Sequence, residues 1–223
     1  MEEIIKLEHV GKYFGEVKVL GNLTFSCHSS EILGIVGRNG SGKTVLFKCI
    51  CGLFPVSEGE IRIRGKLLGK DVDIPEKMGV LIENPAFLPE FNAYDNLRIL
   101  ARINREVKND EVKEILEKFG LDWKNRKKVG KYSMGMRQRL GLAQAVMENP
   151  DILILDEPMN GLDTHWIEVT RNMLLAMKEE GKTILLASHN REDLDILCDG
   201  MIQLKDGEIM QIPSLCNELK EKF

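Results

Sequence analysis

The stretch that decides the fold of this chain is Gly37-Arg38-Asn39-Gly40-Ser41-Gly42-Lys43-Thr44. It matches the phosphate-loop pattern G-x-x-x-x-G-K-[ST] at every fixed position. The apolar run at 32–36 predicts a buried strand before the loop, and residues 45–50 predict a helix after it. In that order, backbone N–H groups of the loop and of the helix start converge on anionic oxygens. The stretch therefore predicts a nucleotide-phosphate site, and the alternative is a glycine-rich turn that arose by chance.

Two side chains of this segment carry the predicted chemistry. Lys43 would reach the β- and γ-phosphates, and the hydroxyl of Thr44 would bind Mg²⁺. The other residues would surround the phosphates, mainly through their backbone. The nucleotide-binding residues predicted here are Gly37, Arg38, Asn39, Gly40, Ser41, Gly42, Lys43, Thr44 and Val45.

Composition limits the class of protein. A chain of 223 residues can bury one substantial core, or one core with a satellite lobe. Its 43% hydrophobic and 30% charged residues are typical of a soluble globular protein. No apolar run is long enough to span a membrane, and the acidic start predicts no signal peptide. The net charge of -4 argues against nucleic acid as a partner.

The cysteines suggest neither a disulfide framework nor a metal site. Their number is odd, and their scattered positions contain no C-x-x-C pair. We expect them to be small buried hydrophobic residues in a reducing cytosol. The positions are Cys27, Cys49, Cys51, Cys198 and Cys216.

The order of predicted elements is that of an α/β protein. Candidate strands occupy 4–10, 19–25, 31–36, 60–64, 79–82, 152–155 and 183–187, and the last strand pattern lies at 202–209. Candidate helices occupy 94–120, with Gly120 as a stop, then 137–147 and 166–180. We expect a parallel sheet with helices on both faces. The helical stretch from about 90 to 148 predicts an inserted lobe within one domain.

A second part of the nucleotide site is predicted at Asp156 and Glu157. They follow four aliphatic residues at 152–155, a pattern that suits a central parallel strand. Carboxylates at the C-terminal end of such a strand lie where α/β sheets bind ligands. Asp156 would hold Mg²⁺ through water, and Glu157 would orient or deprotonate an attacking water. The alternative is a helix-capping aspartate with an acidic surface neighbour.

Two further positions have both a functional and an ordinary interpretation. His189 follows the apolar run 184–188, where it could hydrogen-bond a γ-phosphate or the attacking water. Ser133 is a natural N-cap for the helix at 137–147, and the start of that helix attracts anions. A structural histidine and an ordinary capped helix are the alternatives. A second anion site suggests that one chain's phosphate cradle closes on another chain's capped helix.

The chain resembles the ATP-binding subunit of an ATP-binding-cassette (ABC) transporter over nearly its whole length. The resemblance rests on the order of its motifs, which are the phosphate loop, the serine segment 132–136, the aliphatic run with Asp156 and Glu157, the turn 160–163 and His189. It implies an α/β fold: a P-loop NTPase (RecA-like) core with an N-terminal antiparallel β subdomain and an inserted α-helical subdomain. The single domain would span 1–223, with the core lobe at about 1–89 and 149–223 and the helical subdomain at about 90–148.

The resemblance also implies roles for single residues. Phe14 would stack on adenine, with Tyr13 as the runner-up. Ser133, Gly135 and Met136 belong to a segment that would cap the γ-phosphate held by the partner protomer. The turn 160–163 would link the two sites, and His189 would be the switch histidine. Lys43, Glu157 and His189 would be catalytic.

Several positions, in two segments of the chain, depart from the family pattern. The signature segment is Tyr132-Ser133-Met134-Gly135-Met136, where relatives have Leu-Ser-Gly-Gly-Gln, and Met134 adds bulk where the dimer would close. Glu83 stands where most relatives have a glutamine that senses Mg²⁺. A carboxylate can also bind Mg²⁺, so Glu83 joins Thr44 and Asp156 as a metal ligand, but it adds negative charge near the phosphates. Glu83-Asn84-Pro85 resembles the bacitracin- and lantibiotic-type exporter ATPases.

The function implied is ATP hydrolysis that powers transport, with export expected, through a separate membrane-spanning subunit. Two ATP molecules with Mg²⁺ would be sandwiched in a homodimer at the cytoplasmic face of the membrane. Because the chain ends at Phe223, soon after the last strand pattern, we expect no appended regulatory domain. The alternatives are a soluble ABC-type ATPase that acts on ribosomes or DNA, and a regulatory subunit that binds without hydrolysis. The basic segment 124–128 would be a solvated surface or would face lipid headgroups.

Overall fold

The computed structural model describes residues 2–83, 85–104 and 107–210. Asn84, from the segment that suggested the exporter subgroup, and Cys216 lie outside the described residues. The strands are β1 (Glu3–Phe14), β2 (Val17–His28), β3 (Ile32–Val36), β4 (Glu58–Ile63), β5 (Lys66–Leu67), β6 (Met78–Leu81), β7 (Ile152–Asp156), β8 (Thr183–Ala187), β9 (Gly200–Lys205) and β10 (Glu208–Met210). The helices are α1 (Lys43–Ile50), α2 (Ala93–Asn104), α3 (Asn109–Lys118), α4 (Met134–Val146), α5 (Thr164–Glu179) and α6 (Arg191–Leu197).

The strands form two sheets. The first has the order β2-β1-β4-β5, and each of its neighbouring pairs is antiparallel. The second has the order β10-β9-β3-β8-β7-β6, in which β6, β7, β8, β3 and β9 run parallel. Because parallel strands end at the same edge, the loops after β3, β7 and β8 meet there. These are the loops that carry the predicted site.

The parallel sheet is buried on both faces because its strands are nearly all aliphatic. Leu153 and Leu155 of β7 face a core shared with helices α2 to α5. Ile152 and Ile154 of the same strand face a second core, which is built from α1 and the antiparallel sheet. Helices therefore lie on both faces of the parallel sheet, as predicted, and the antiparallel sheet adds to the core on the face that α1 covers. The predicted α/β cassette fold with an antiparallel β subdomain is confirmed.

Most predicted elements are present, with different ends. The first two strands are longer than predicted, at 12 residues each, because β1 and β2 continue to pair through irregular registers. The helical stretch predicted at 94–120 is divided between α2 and α3. The pattern at 202–209 is a hairpin of β9 and β10. The sequence reasoning missed β5 and α6, which are short.

The cysteines within the described ranges are free thiols. Burial raises the pKa of Cys49 to about 11 and that of Cys51 to about 12. Both pack into the core between α1 and the antiparallel sheet. They therefore act as small buried hydrophobic residues, as predicted. No helix in the described part of the chain combines the length and the apolar character that crossing a bilayer requires.

Candidate nucleotide site

The phosphate loop joins β3 to α1 through a strained turn. Gly40 and Gly42 have φ angles of +82° and +102°, in the left-handed region that favours glycine. Gly42 also packs closely, because a Cβ there would lie 2.8 Å from Leu20 Cδ2 and 3.1 Å from the Val19 carbonyl oxygen. Gly42 is the N-cap of α1 and makes no side-chain capping bond. The first turn of α1 thus begins without the side-chain acceptor that caps most helices.

Two polar side chains are buried inside this loop. Lys43 is 7% exposed, and its Nζ donates to the carbonyl oxygens of Gly37 at 2.7 Å and Arg38 at 3.2 Å. Ser41 is 6% exposed, and its Oγ has no hydrogen-bond partner among the described residues. A buried hydroxyl without a partner is uncommon and points to a polar ligand. The loop therefore holds a cation and a spare hydroxyl where phosphate oxygens would bind.

Thr44 and Asp156 meet between α1 and the end of β7. Thr44 Oγ1 donates a hydrogen bond of 2.7 Å to Asp156 Oδ2. The two residues are 112 positions apart in the sequence, so only the fold brings them together. A hydroxyl and a carboxylate are hard oxygen donors of the type that Mg²⁺ prefers. The residues present therefore fit the predicted metal.

Glu157 and His189 form the second pair at this sheet edge. Glu157 has a φ of +52°, and its N–H donates to the Ala187 carbonyl oxygen at 2.9 Å. Its Oε2 lies 2.7 Å from His189 Nδ1. A non-glycine residue held in this region indicates a conformation enforced by its surroundings, and such residues concentrate at functional sites. The histidine ring is therefore placed to orient the carboxylate.

Gln138 is a site residue that the sequence reasoning missed. It lies on α4 and is 9% exposed. Its Nε2 donates to the carbonyl oxygens of Glu157 at 3.0 Å and Pro158 at 2.9 Å. These bonds tie the helix of the serine segment to the segment that carries the carboxylates. The one signal in the sequence was a polar residue among the apolar positions of that helix.

Apart from His189, the polar side chains described so far line one cavity of about 450 Å³. Ten predicted site residues line it, which are Asn39, Gly40, Ser41, Gly42, Lys43, Thr44, Val45, Glu83, Asp156 and Glu157. Four lining residues were not predicted, which are Val19, Met134, Gln138 and Asn160. Eight predicted residues are not part of this lining, which are Tyr13, Phe14, Gly37, Arg38, Ser133, Gly135, Met136 and His189.

Glu83 lies in the cavity wall with its carboxylate engaged by a lysine. Its Oε2 is 3.0 Å from Lys48 Nζ. Its φ of +56° is again in the left-handed region. The side chain is 59% exposed, so it has room to take another orientation. The structure thus places the predicted metal ligand at the site in an ion pair that the sequence did not predict.

The two candidates for adenine stacking differ in their surroundings. Phe14 is 44% exposed, and its ring packs edge-on against Phe54 with 5.5 Å between the ring centres. Lys12 Nζ lies 4.9 Å from the centre of the Phe14 ring. Tyr13 instead donates its hydroxyl to Glu58 Oε2 at 3.3 Å. Of the two rings, Phe14 is the more exposed, and neither ring belongs to the lining of the cavity.

The serine segment begins α4 as predicted. Ser133 Oγ accepts a hydrogen bond of 3.2 Å from the Met136 N–H. Met134 is 55% exposed and lies against Gly161, where an added Cβ would come within 2.8 Å of Met134 Cγ. Burial raises the pKa of Tyr132, which precedes the cap. The segment is therefore anchored on one side and open to solvent on the other.

The comparison with family models gives one match. A model described as ABC transporter matches residues 20–160. This range contains the phosphate loop, the serine segment and both carboxylates of the site.

Curated relatives agree with this match. The chain is 38% identical to the uncharacterized ABC transporter ATP-binding protein YybJ of Bacillus subtilis, over 92% of this chain and 94% of the relative. It is 36% identical to the bacitracin transport ATP-binding protein BcrA of Bacillus licheniformis, over 95% and 70% of the two chains. It is 31% identical to the lantibiotic transport ATP-binding protein SrtF of Streptococcus pyogenes, over 93% and 89%.

Among solved structures, the fold is similar to that of MJ0796, a bacterial ABC transporter cassette described as dimeric. The TM-score is 0.84 at 25% identity, and the match covers 95% of this chain and 98% of the other. A second similar chain is described as the ATP-binding subunit of an ABC transporter, with a TM-score of 0.85 at 24% identity over 95% and 90% of the two chains.

Proposed function

We propose that this ATPase, which belongs to the ABC transporter family of ATP-binding proteins, powers transport through a separate membrane-spanning subunit. The observation that carries the proposal is the cavity in which Lys43, the Thr44–Asp156 pair and Glu157 meet. Such a cavity can hold a triphosphate, a metal and an attacking water together. We propose a single domain over 1–223, in which the core lobe, 1–89 and 149–223, binds nucleotide and the helical lobe, 90–148, contacts partners.

ATP binding would rest on the loop 37–44 and the start of α1. The ammonium of Lys43 now donates to two loop carbonyl oxygens. Phosphate oxygens would replace these acceptors and form stronger, charge-assisted bonds. The backbone N–H groups at the start of α1 and the hydroxyl of Ser41 would donate to the same oxygens. Phe14 would stack on the base.

Mg²⁺ would be held by Thr44 and Asp156, with Glu83 as a further oxygen donor. When bound, Mg²⁺ neutralises charge that develops on the phosphate oxygens. The hydrogen bond between Thr44 and Asp156 keeps both oxygens at one place before the metal binds. This arrangement supports Mg²⁺ as the metal of the site.

Glu157 would act as the general base. Its carboxylate orients the attacking water and takes up its proton. His189 holds this carboxylate through its Nδ1 at 2.7 Å, in the tautomer in which Nδ1 carries the proton. Gln138 restrains the backbone of Glu157 through the hydrogen bond to its carbonyl oxygen. The base is therefore fixed in position at both its carboxylate and its main chain.

A second copy of the chain would complete the site when ATP binds. The start of α4 has Ser133 and Met134 exposed to solvent, with Met136 half-buried behind them, and can meet an anion. Met134 packs on Gly161 of the turn 160–163, which follows the carboxylates of the same chain. This contact connects the surface offered to a partner with the site in its own chain. The dimeric state of the similar cassette supports this arrangement.

The membrane-spanning subunit would dock in a groove between the helical lobe and the core. The groove has a volume of about 640 Å³ and is lined by residues of β6, α2 and α4. Ile74 and Ile103 in its wall are 65% and 71% exposed, so both offer apolar surface to a partner in the same groove. We assign it to a cytoplasmic helix of the membrane subunit, so that the ATPase lies at the inner face of the membrane. The names of two relatives, which mention bacitracin transport and lantibiotic transport, support a peptide antibiotic as cargo. We propose export as the direction.

Co-purification with a membrane protein from detergent extracts tests this function. Ile103→Glu should abolish co-purification while nucleotide binding stays intact, because it places a charge in the groove. The matched control is Ile196→Glu on α6, since Ile196 is 45% exposed and lies outside the groove lining. Equal recovery of the membrane protein with both variants would contradict the groove assignment. Binding of ribosomes or DNA instead would favour the soluble ATPase.

A further inference from the structure

Lys48 is a charged residue beside the nucleotide cavity that the mechanism above does not use. It lies on α1 four residues after Thr44, so both side chains are on the same face of the helix. Its side chain is 22% exposed, and its Nζ is 3.0 Å from Glu83 Oε2. This lysine therefore joins the helix of the phosphate loop to the residue proposed as a metal ligand.

The negative charge around Glu83 explains why a neighbouring cation would favour nucleotide binding. The cavity already contains the carboxylates of Asp156 and Glu157, and a triphosphate adds several negative charges. A third carboxylate would repel the nucleotide unless a cation lies close to it. Lys48 supplies that cation, and a glutamine at position 83 would not need it.

We propose that Lys48 is a positioning residue that competes with Mg²⁺ for the carboxylate of Glu83. While the ion pair is formed, the charge of Glu83 is partly neutralised and one of its oxygens accepts from the ammonium. To coordinate the metal, Glu83 has to leave Lys48. The affinity of the site for Mg²⁺ is therefore set by this exchange, and the inference rests on the proposed role of Glu83.

The aromatic residues beside Lys48 give its ammonium a second contact. Lys48 Nζ lies 5.4 Å from the centre of the Phe54 ring, within the range of a cation–π interaction. Phe54 packs edge-on against Phe14, the ring proposed to stack on adenine. When Glu83 turns to the metal, Lys48 keeps this contact. Because of this contact, moving Glu83 from Lys48 to the metal costs less free energy than it would if the ammonium were left without any partner.

Binding of a fluorescent ATP analogue, mant-ATP, with Mg²⁺ and with EDTA tests this competition. The measured quantity, in the intact chain, is the affinity for mant-ATP with Mg²⁺ divided by the affinity with EDTA. Lys48→Met should raise this ratio about two- to fivefold, the range that a partly exposed ion pair supports. In a Glu83→Gln background the same substitution should leave the ratio unchanged, because the carboxylate is absent. Lys48→Arg should retain the parental ratio.

The matched control is Lys113→Met, which removes one positive charge from an exposed ion pair with Asp110 on α3. It should leave the ratio at the parental value. An effect of Lys48→Met that persists in the Glu83→Gln background would overturn the inference, because it would be a general charge effect. Equal ratios in all variants would also overturn it while leaving nucleotide binding established.

If the parental chain does not bind the analogue, the proposed function fails together with this inference. Lys48→Gln serves as a second variant if the methionine variant is less stable.

Discussion

The helices α1 and α4 begin in opposite ways, although both starts are proposed to bind phosphate. The start of α1 follows a left-handed glycine without a side-chain cap, and Lys43 beside it is 7% exposed. The start of α4 is capped by the hydroxyl of Ser133, and Met134 beside it is 55% exposed. The start of α1 is therefore enclosed and lacks a side-chain acceptor, whereas the start of α4 is exposed and has the hydroxyl of Ser133 as its acceptor.

This difference indicates a division of roles between the two helix starts. The uncapped N–H groups and the buried ammonium of α1 need an anion to satisfy them, so this end binds nucleotide within one chain. The capped end of α4 is stable without a ligand. This end can therefore stay exposed in the single chain and bind an anion only when a second copy of the chain carries one to it.

The largest effect is expected for Glu157→Gln. Removal of a general base typically lowers the rate by about 10²- to 10⁴-fold, so ATP turnover should nearly cease. ATP binding should remain, because Lys43 and the start of α1 are unchanged. An ATP-dependent dimer should then accumulate, measured by light scattering next to a phosphate-release assay. Glu60→Gln, an exposed glutamate of the antiparallel sheet, is the control. Parental turnover in Glu157→Gln would contradict the assigned role.

Lys43→Ala tests the enclosed helix start. Hydrogen bonds to charged groups contribute about 1.5–3 kcal/mol, so nucleotide affinity should fall about ten- to a hundredfold. Isothermal titration calorimetry measures the change directly. The matched control is Lys182→Ala, which removes another lysine with little exposure, at the start of β8, far from the loops of the site. Unchanged affinity in Lys43→Ala would remove the basis of the phosphate site.

Gly42→Ala tests whether the turn before α1 needs glycine for its conformation and for its packing. The added Cβ would be strained by a φ of +102° and would lie 2.8 Å from Leu20 Cδ2. We expect the free energy of unfolding to fall by about 1–3 kcal/mol. At Gly40 a Cβ would meet open space at a φ of +82°, so Gly40→Ala should cost less. Urea titration compares the two variants, and equal losses would show that packing at Gly42 contributes nothing.

Ser133→Ala should have the smallest effect on the isolated chain. Loss of an N-cap hydroxyl typically costs about 1 kcal/mol, so the free energy of unfolding should fall by that amount in a urea titration. Ser133→Asn should keep the cap and the stability. In the Glu157→Gln background, Ser133→Ala should also weaken the ATP-dependent dimer. An unaltered dimer would indicate that α4 does not meet the partner's nucleotide.

Much of this architecture could be predicted because its signals are local. The buried strands β3, β7 and β8 are continuous aliphatic runs, and Ser133 precedes its helix at capping distance. The short elements β5 and α6 were missed because they have too few residues to show a period. The prediction of helices on both faces was confirmed, but the contribution of β1, β2 and β4 to the second core depends on packing between strands distant in sequence.

Contacts between distant residues could not be predicted from single motifs. Gln138 of α4 donates to the carbonyl oxygen of Glu157, 19 positions away in the sequence. Lys48 pairs with Glu83, 35 positions away in the sequence. Neither pair has a sequence pattern, because the spacing is set by how α1 and α4 pack on the sheet.

The sequence by itself determined that this chain binds a nucleotide, because a phosphate loop works through the backbone of consecutive residues. It also determined the family, since the order of the motifs is written along the chain. Only the tertiary structure decided which carboxylates are available to a metal and which are held by a lysine. That decision depends on distances of about 3 Å between side chains from separate elements, and those distances exist only once the parallel sheet has brought its loops to one edge.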